Sequence, residues 1–146
     1  DEVGEVAALP PCRFAVAYPV PRPLAGLQPP FVVLDGLGSA MNVGQLVRSC
    51  VLLGVTSFVV SRASWSSVNG RAALVSEGLL YHADFHLAAS VPEALEELGK
   101  LGVRRYVAEE FFATPVAPHE PLGDRAWALV VGCEEHGVSP EALESC

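Results

Sequence analysis

Two short stretches of this 146-residue chain combine residue types that can bind or activate a polar group. The first is Asn42-Val-Gly44-Gln-Leu-Val-Arg48. Asn42 stands where a helix is predicted to begin, so its side chain can cap free backbone N–H groups. Arg48 follows in apolar surroundings, and its neighbours Leu46, Val47, Cys50 and Val51 predict a helix buried over much of its circumference. A guanidinium there needs a partner or a cleft. The structural candidates are Asp35 or an acidic helix; the functional one is a phosphate held by the guanidinium fork. The second stretch is Gly132-Cys133-Glu134-Glu-His-Gly137-Val-Ser139, which follows the apolar run Leu129-Val-Val. Its glycines let a ligand approach the backbone closely, and free N–H groups at the start of the next helix favour an anionic or polar group.

Other candidates carry less. Gly36-Leu-Gly38 after a strand invites a dinucleotide reading, with Arg62 placed to meet a 2′-phosphate, but Met41 occupies the position where close helix packing wants Gly or Ala. His82 and His86 have helical metal-ligand spacing without a third ligand nearby, so no metal is expected. His136 reads as solvated. Trp65 could stack a base or sit at an oligomer contact. Glu96-Glu97 and Glu109-Glu110 read as solvated faces, with Glu109 also a pocket candidate at a strand end. Arg104-Arg105 reads as surface charge ahead of a strand.

The elements that must position these residues are legible. Seven of the twelve prolines lie between Pro10 and Pro30, so residues 1–30 read as a proline-rich arm or linker and 31–146 as the folded domain. Phe31–Asp35 is a short, unalternating apolar run, as expected for a strand buried on both faces. Apolar residues at 43, 46, 47, 50 and 51 predict a helix to about Leu53, stopped by Gly54. Strands are predicted at Thr56–Val60, Phe85–Leu87, Tyr106–Ala108 and Trp127–Val131. A helix is expected over Val68–Leu80, weakened by Gly70 and Gly78. A second opens at the Ser90-Val-Pro-Glu93 capping box and runs to about Leu101, and a third begins at Ser139-Pro140. The alternation means α/β, a mostly parallel sheet flanked by helices, with ligands at the carboxyl ends of the strands. The loops to watch are Gly36–Asn42, Ser61–Ser67, Glu109–Thr114 and Gly132–Val138.

Composition bounds the rest. With 51% hydrophobic residues and a mean hydropathy of +0.36, the chain is one core-forming domain and not a disordered segment. Its longest uncharged stretch, Ser49–Ser61, has 13 residues, short of the roughly 20 needed to span a bilayer, so no membrane association is expected. Four scattered cysteines without a Cys-x-x-Cys pair read as reduced, intracellular thiols, with Cys50 and Cys133 as small core residues. The sequence opens Asp1-Glu2-Val3, which reads as an internal starting point. Net charge is −8, but residues 1–75 sum to +1 and the remainder to −9, and Asp35 is the one acid between Arg13 and Arg71. A polyphosphate partner should meet that arginine-bearing segment.

Taken together and in order, the two motifs resemble the first two of three in the SpoU/TrmH group of SPOUT RNA methyltransferases. Asn42-Val-Gly44 to Arg48, followed by Leu52-Leu-Gly-Val55, resembles that family's Asn-x-Gly-x-x-x-Arg segment. Gly132-Cys-Glu134-Glu-His-Gly137-Val-Ser139 is similar to its Gly-x-Glu-x-x-Gly-[Leu/Ile]-Ser loop. The resemblance covers about Phe31 to Cys146. It implies a trefoil-knotted domain, a homodimer, S-adenosylmethionine as methyl donor, and a ribose 2′-hydroxyl of tRNA or rRNA as acceptor. By analogy Ala108, Glu109, Gly132, Cys133 and Gly137 line the methyl-donor pocket, Asn42 and Arg48 face the ribose, and Glu134 orients the site, with no metal.

The family's third motif, Ile-Pro-Met followed by Ser-Leu-Asn and a closing helix, does not occur in these residues. The expectation is therefore a domain incomplete at its C-terminal end and inactive by itself. The rival readings are a catalytically silent knot-like module that dimerises or docks RNA, and an NADP-binding Rossmann-like domain. Within the methyltransferase reading, Arg48 is better suited to anchoring a phosphate than to acting as a base, because a guanidinium with a pKa above about 12 keeps its proton.

Overall fold

The computed structural model describes residues 17–110 and 125–146. Cys12, Arg13, the first part of the proline-rich arm and the end of the Glu109–Thr114 loop lie outside them. The described residues form a five-stranded, wholly parallel sheet of β1 (Phe31–Leu34), β2 (Ser57–Ser61), β3 (Asp84–Ala88), β4 (Arg104–Ala108) and β5 (Trp127–Val131). The spatial order is β3-β2-β1-β5-β4. The helices are α1 (Ala40–Leu52), α2 (Gly70–Val75), α3 (Val91–Lys100) and α4 (Pro140–Glu144).

The unalternating strands are buried on both faces. Val32, Leu34, Phe58 and Val60 face one apolar cluster that includes Val43 and Val47 of α1 and Ala72 of α2. Phe31, Val33 and Val59 face the other, with Leu95 and Leu98 of α3 and Ala142 of α4. Phe58, Phe85, Leu80, Leu95 and Leu98 are inaccessible to solvent, and each contributes roughly 1.5–3 kcal/mol through burial. Residues 17–30 lie against the sheet edge: Arg22 donates its backbone N–H to the Phe85 carbonyl at 2.7 Å, and Leu24 and Leu27 enter the second cluster.

The structure corrects three local expectations. The helix predicted over 68–80 is two pieces, α2 and a 3₁₀ turn at Leu79–His82, because Glu77 and Gly78 take left-handed backbone (φ 55° and 84°) and end α2. Arg104 and Arg105 belong to β4: the Arg104 guanidinium lies 5.3 Å from the Tyr106 ring centre, and Arg105 donates to the Leu95 carbonyl at 3.0 Å. Trp65 is half-buried, edge-on to Phe85 at 6.0 Å, so it completes the core under the loop after β2. No helix among the described residues is long and apolar enough to cross a membrane.

Sheet order fixes where a site can form. The chain winds outward from β1 through β2 to β3, then resumes on the other side with β4 and β5. The order therefore reverses between β1 and β5, and the loops leaving those strands splay around a crevice.

Candidate active site

Motif one sits on α1, which leaves the crevice directly after β1. Ser39 caps this helix, its hydroxyl accepting the Asn42 N–H, so Asn42 is not the cap expected from its position. The Asn42 side chain is thereby free to reach across the crevice, where its amide nitrogen donates to the Glu134 carboxylate. Gly44 is explained by packing: a Cβ there would lie 2.7 Å from the Ala72 carbonyl and 2.8 Å from the Val75 Cβ, so glycine lets α2 close onto α1.

Motif two is the loop leaving β5. Cys133 and Gly137 form a two-residue antiparallel bridge, with N–H to carbonyl distances of 3.0 and 2.9 Å. The bridge folds the loop back over Gly132, where a Cβ would stand 2.1 Å from the Gly137 oxygen. Only glycine fits at 132. The loop is clamped to β1 by Asp35, which is 8% exposed and accepts the Ser139 N–H at 2.7 Å. Ser139 in turn caps α4. Asp35 therefore positions motif two and is not the partner of Arg48. At the end of β4, the Glu109 carboxylate accepts the Glu110 N–H at 2.8 Å and lies against Gly137, where a Cβ would be 2.9 Å from Glu109 Oε2.

Between the motifs lies an open groove of about 340 Å³. Leu37, Leu46 and Val131 form its apolar floor, and Asn42, Gln45, Ser49 and Glu134 form its polar rim beside Gly132. The structure thus brings Asn42, Gly132 and Glu134 to one groove, and gathers Glu109, Cys133 and Gly137 in the same loop cluster at the carboxyl ends of β4 and β5. Ala108 ends β4 and is exposed.

Arg48 is elsewhere. At about 100° per residue it points about 120° around α1 from Asn42 and about 60° from Gln45. Its guanidinium pairs with Glu77 at 3.0 Å, with the two side chains 45% and 68% exposed. The helix is fully buried along Val43, Gly44 and Val47 and partly buried at Leu46, Cys50 and Val51, and Arg48 lies outside that face. An exposed pair of this kind is worth about 0.2–1 kcal/mol. Glu77 is the one non-glycine residue with left-handed φ among the described residues, a conformation that costs roughly 1–2 kcal/mol. Sequence reasoning missed this acid: Gly78 marks a helix end, but no local signal pairs Glu77 with Arg48.

The remaining candidates have structural roles. His86 meets the Arg22 carbonyl at 2.9 Å through Nδ1 and the Glu97 carboxylate at 3.8 Å through Nε2. His136 is 84% exposed, as expected for a solvated residue. Cys50 and Cys133 are half-buried and Cys146 is exposed; all three are free thiols, and burial pushes the Cys50 pKa up. Among the described residues no group of His, Cys, Asp and Glu could hold a metal ion.

Residues 29–146 match the sequence profile of the SpoU rRNA Methylase family. The chain belongs to that family. A TrmH-family protein of Staphylococcus haemolyticus is 25% identical over 115 residues, which are 79% of this chain and 45% of that protein. The SpoU methyltransferase AviRb from Streptomyces viridochromogenes, solved in complex with AdoMet, superposes with a TM-score of 0.68 at 19% identity, over 80% of this chain and 47% of that one. A structure solved to explain 2-OH methylation of C/U34 on tRNA gives 0.62 at 22% identity, over 78% and 73%. The two structural likenesses show the fold, the SPOUT-type α/β methyltransferase domain. The chain spans less than half of the first two relatives.

Proposed function

We propose that this chain is the methyl-transfer domain of an RNA methyltransferase that uses S-adenosylmethionine to methylate a ribose 2′-hydroxyl of tRNA or rRNA, and that it works as a homodimer. The observation that carries the reading is the hydrogen bond from Asn42 to Glu134, which joins the two family motifs across a groove at the point where strand order reverses.

The residues present fit a methyl-donor site beside that groove. Glu109 and Gly137 are in close approach, so a carboxylate able to accept from hydroxyl or ammonium groups stands beside a glycine-lined loop. Ala108, Glu109, Gly132, Cys133 and Gly137 would hold S-adenosylmethionine. When bound, that cofactor supplies an electrophilic methyl group on a sulfonium sulfur.

The chain's own residues then have separable tasks. Asn42 and Glu134 fix each other's orientation and present an amide and a carboxylate to the ribose edge. Arg48, which lies outside the groove on a neighbouring face of α1, binds the adjacent phosphate with its planar fork. The hydroxyl proton leaves to phosphate or water, since the guanidinium is never deprotonated. Fixing the reacting centres about 3–3.5 Å apart removes up to roughly 7–11 kcal/mol of the barrier.

The test is methyl transfer by the full-length protein from radiolabelled S-adenosylmethionine to unmodified tRNA and rRNA. A ribose methyl leaves an alkali-resistant dinucleotide. Label confined to bases, or no transfer to either RNA, defeats the reading.

A further inference from the structure

Arg48 carries its own counter-ion, and the carboxylate involved is singular in this part of the chain. Residues 36–76 contain Arg48, Arg62 and Arg71 and no acid; Glu77 is the first acid after Asp35. Of the three arginines, Arg48 is the one with an ion-pair partner among the described residues. Glu77 meets it from the turn that ends α2, held in left-handed backbone ahead of Gly78, which is itself left-handed. Glu77 is the left-handed residue that ends α2: its N–H donates to the Leu74 carbonyl at 3.1 Å, and the Gly78 N–H donates to the Ala73 carbonyl at 2.9 Å. A glycine at 77 would take the same backbone without the cost of a Cβ, so the turn itself does not need the carboxylate side chain found there.

We propose that Glu77 competes with an RNA phosphate for Arg48 and so tunes how tightly RNA is held at that guanidinium. The inference rests on the reading of Arg48 as a phosphate anchor. Both partners are largely exposed, so the pair exchanges readily. A correctly placed phosphate offers two oxygens to the guanidinium fork and displaces the carboxylate. An RNA that places no phosphate there leaves Arg48 on Glu77 and gains nothing from the guanidinium. Glu77 thus weakens the binding of RNA whose phosphate takes Arg48, by the free energy of the ion pair that must break.

The experiment is a double-mutant cycle in the full-length protein. Dissociation constants for unmodified tRNA and rRNA transcripts are measured at low salt for wild type, Glu77→Gln, Arg48→Ala and the double variant. Glu77→Gln should tighten binding about twofold to fivefold, the range an exposed pair commands, with the same change in KM rather than kcat. In the Arg48→Ala background it should do nothing. Glu77→Gly keeps the left-handed backbone and should reproduce the gain if Glu77→Gln folds poorly. Equal tightening in both backgrounds, which general charge removal produces, overturns the proposal, and so does no tightening. If the wild type binds RNA with this pattern but transfers no methyl group, the reaction is wrong and the role of Glu77 stands. Methyl transfer without the pattern overturns Glu77 alone.

Discussion

The side-chain amide of Asn42 donates a hydrogen bond to the carboxylate of Glu134, 92 positions further along the chain. The contact exists because β1 and β5 are neighbours in the sheet, with Leu34 opposite Val131, so the loops leaving them open onto the same crevice. Replacing Asn42 by Asp sets two carboxylates against each other. In the proposed reaction kcat/KM should fall about tenfold to a hundredfold, while the melting temperature changes little because the pair is exposed. Adding Glu134→Gln restores a hydrogen bond in the reverse sense, from Gln to Asp, and should recover part of the loss. A double variant as poor as the product of the two single ones would show that the two side chains act independently.

Gly132→Ala is expected to be the most damaging small substitution in motif two. The new methyl group would overlap the Gly137 carbonyl carbon and oxygen, at 2.2 and 2.1 Å, and both atoms are backbone held by the Cys133–Gly137 bridge. The loop must open, at about 1–3 kcal/mol, and the Ser139 N–H bonded to Asp35 lies just downstream. Denaturant unfolding should show the loss, and hydrogen exchange should show it at the amides of Gly137 and Ser139. Unchanged protection at both would mean that the bridge yields without cost.

What could be read from the sequence, and what could not, divides by range. Apolar spacing at 43, 46, 47, 50 and 51 identified α1, because one helix face is enough to record burial, and unalternating runs identified β1 and β2, because strands covered on both faces leave no polar positions. The N-cap was misplaced by three residues: Ser39 and Asn42 are both good caps, and choosing Ser39 is what frees the Asn42 amide. No local rule could pair Arg48 with Glu77, because the pair depends on α2 stopping early and folding back on α1 through Gly44. Nor could spacing bring Asn42 to Glu134, since that needs the order of the strands. Local chemistry was visible in the sequence; the contacts that join it into a site come from topology.

Arg62 and Arg71 are exposed on the loop after β2 and the first turn of α2, and neither is ion-paired among the described residues. β2 adjoins β1, so Arg62 leaves the same carboxyl edge that bears the groove. In a protein of net charge −8, RNA should cross this edge and avoid the acidic half. Arg62→Ala and Arg71→Ala should each weaken binding to all RNA sequences alike and reduce the slope of log K against log salt by about one. A sequence-dependent loss, or an unchanged salt slope, would assign these arginines a different task.

Arg48→Lys separates charge from shape. Both side chains can leave Glu77 for a phosphate, but lysine presents a point charge where arginine presents a planar fork. If the fork holds the phosphate beside the target ribose in register, the lysine variant should keep most of its RNA affinity and lose about a hundredfold in kcat. The salt dependence of binding should be unchanged, because the count of neutralised phosphates is the same. Were positive charge alone sufficient, kcat would survive. Were Arg48 remote from the RNA, both kcat and affinity would match the wild type. Single-turnover methyl transfer with saturating protein distinguishes these outcomes, since it removes any difference in RNA binding and reads the placement of the hydroxyl directly.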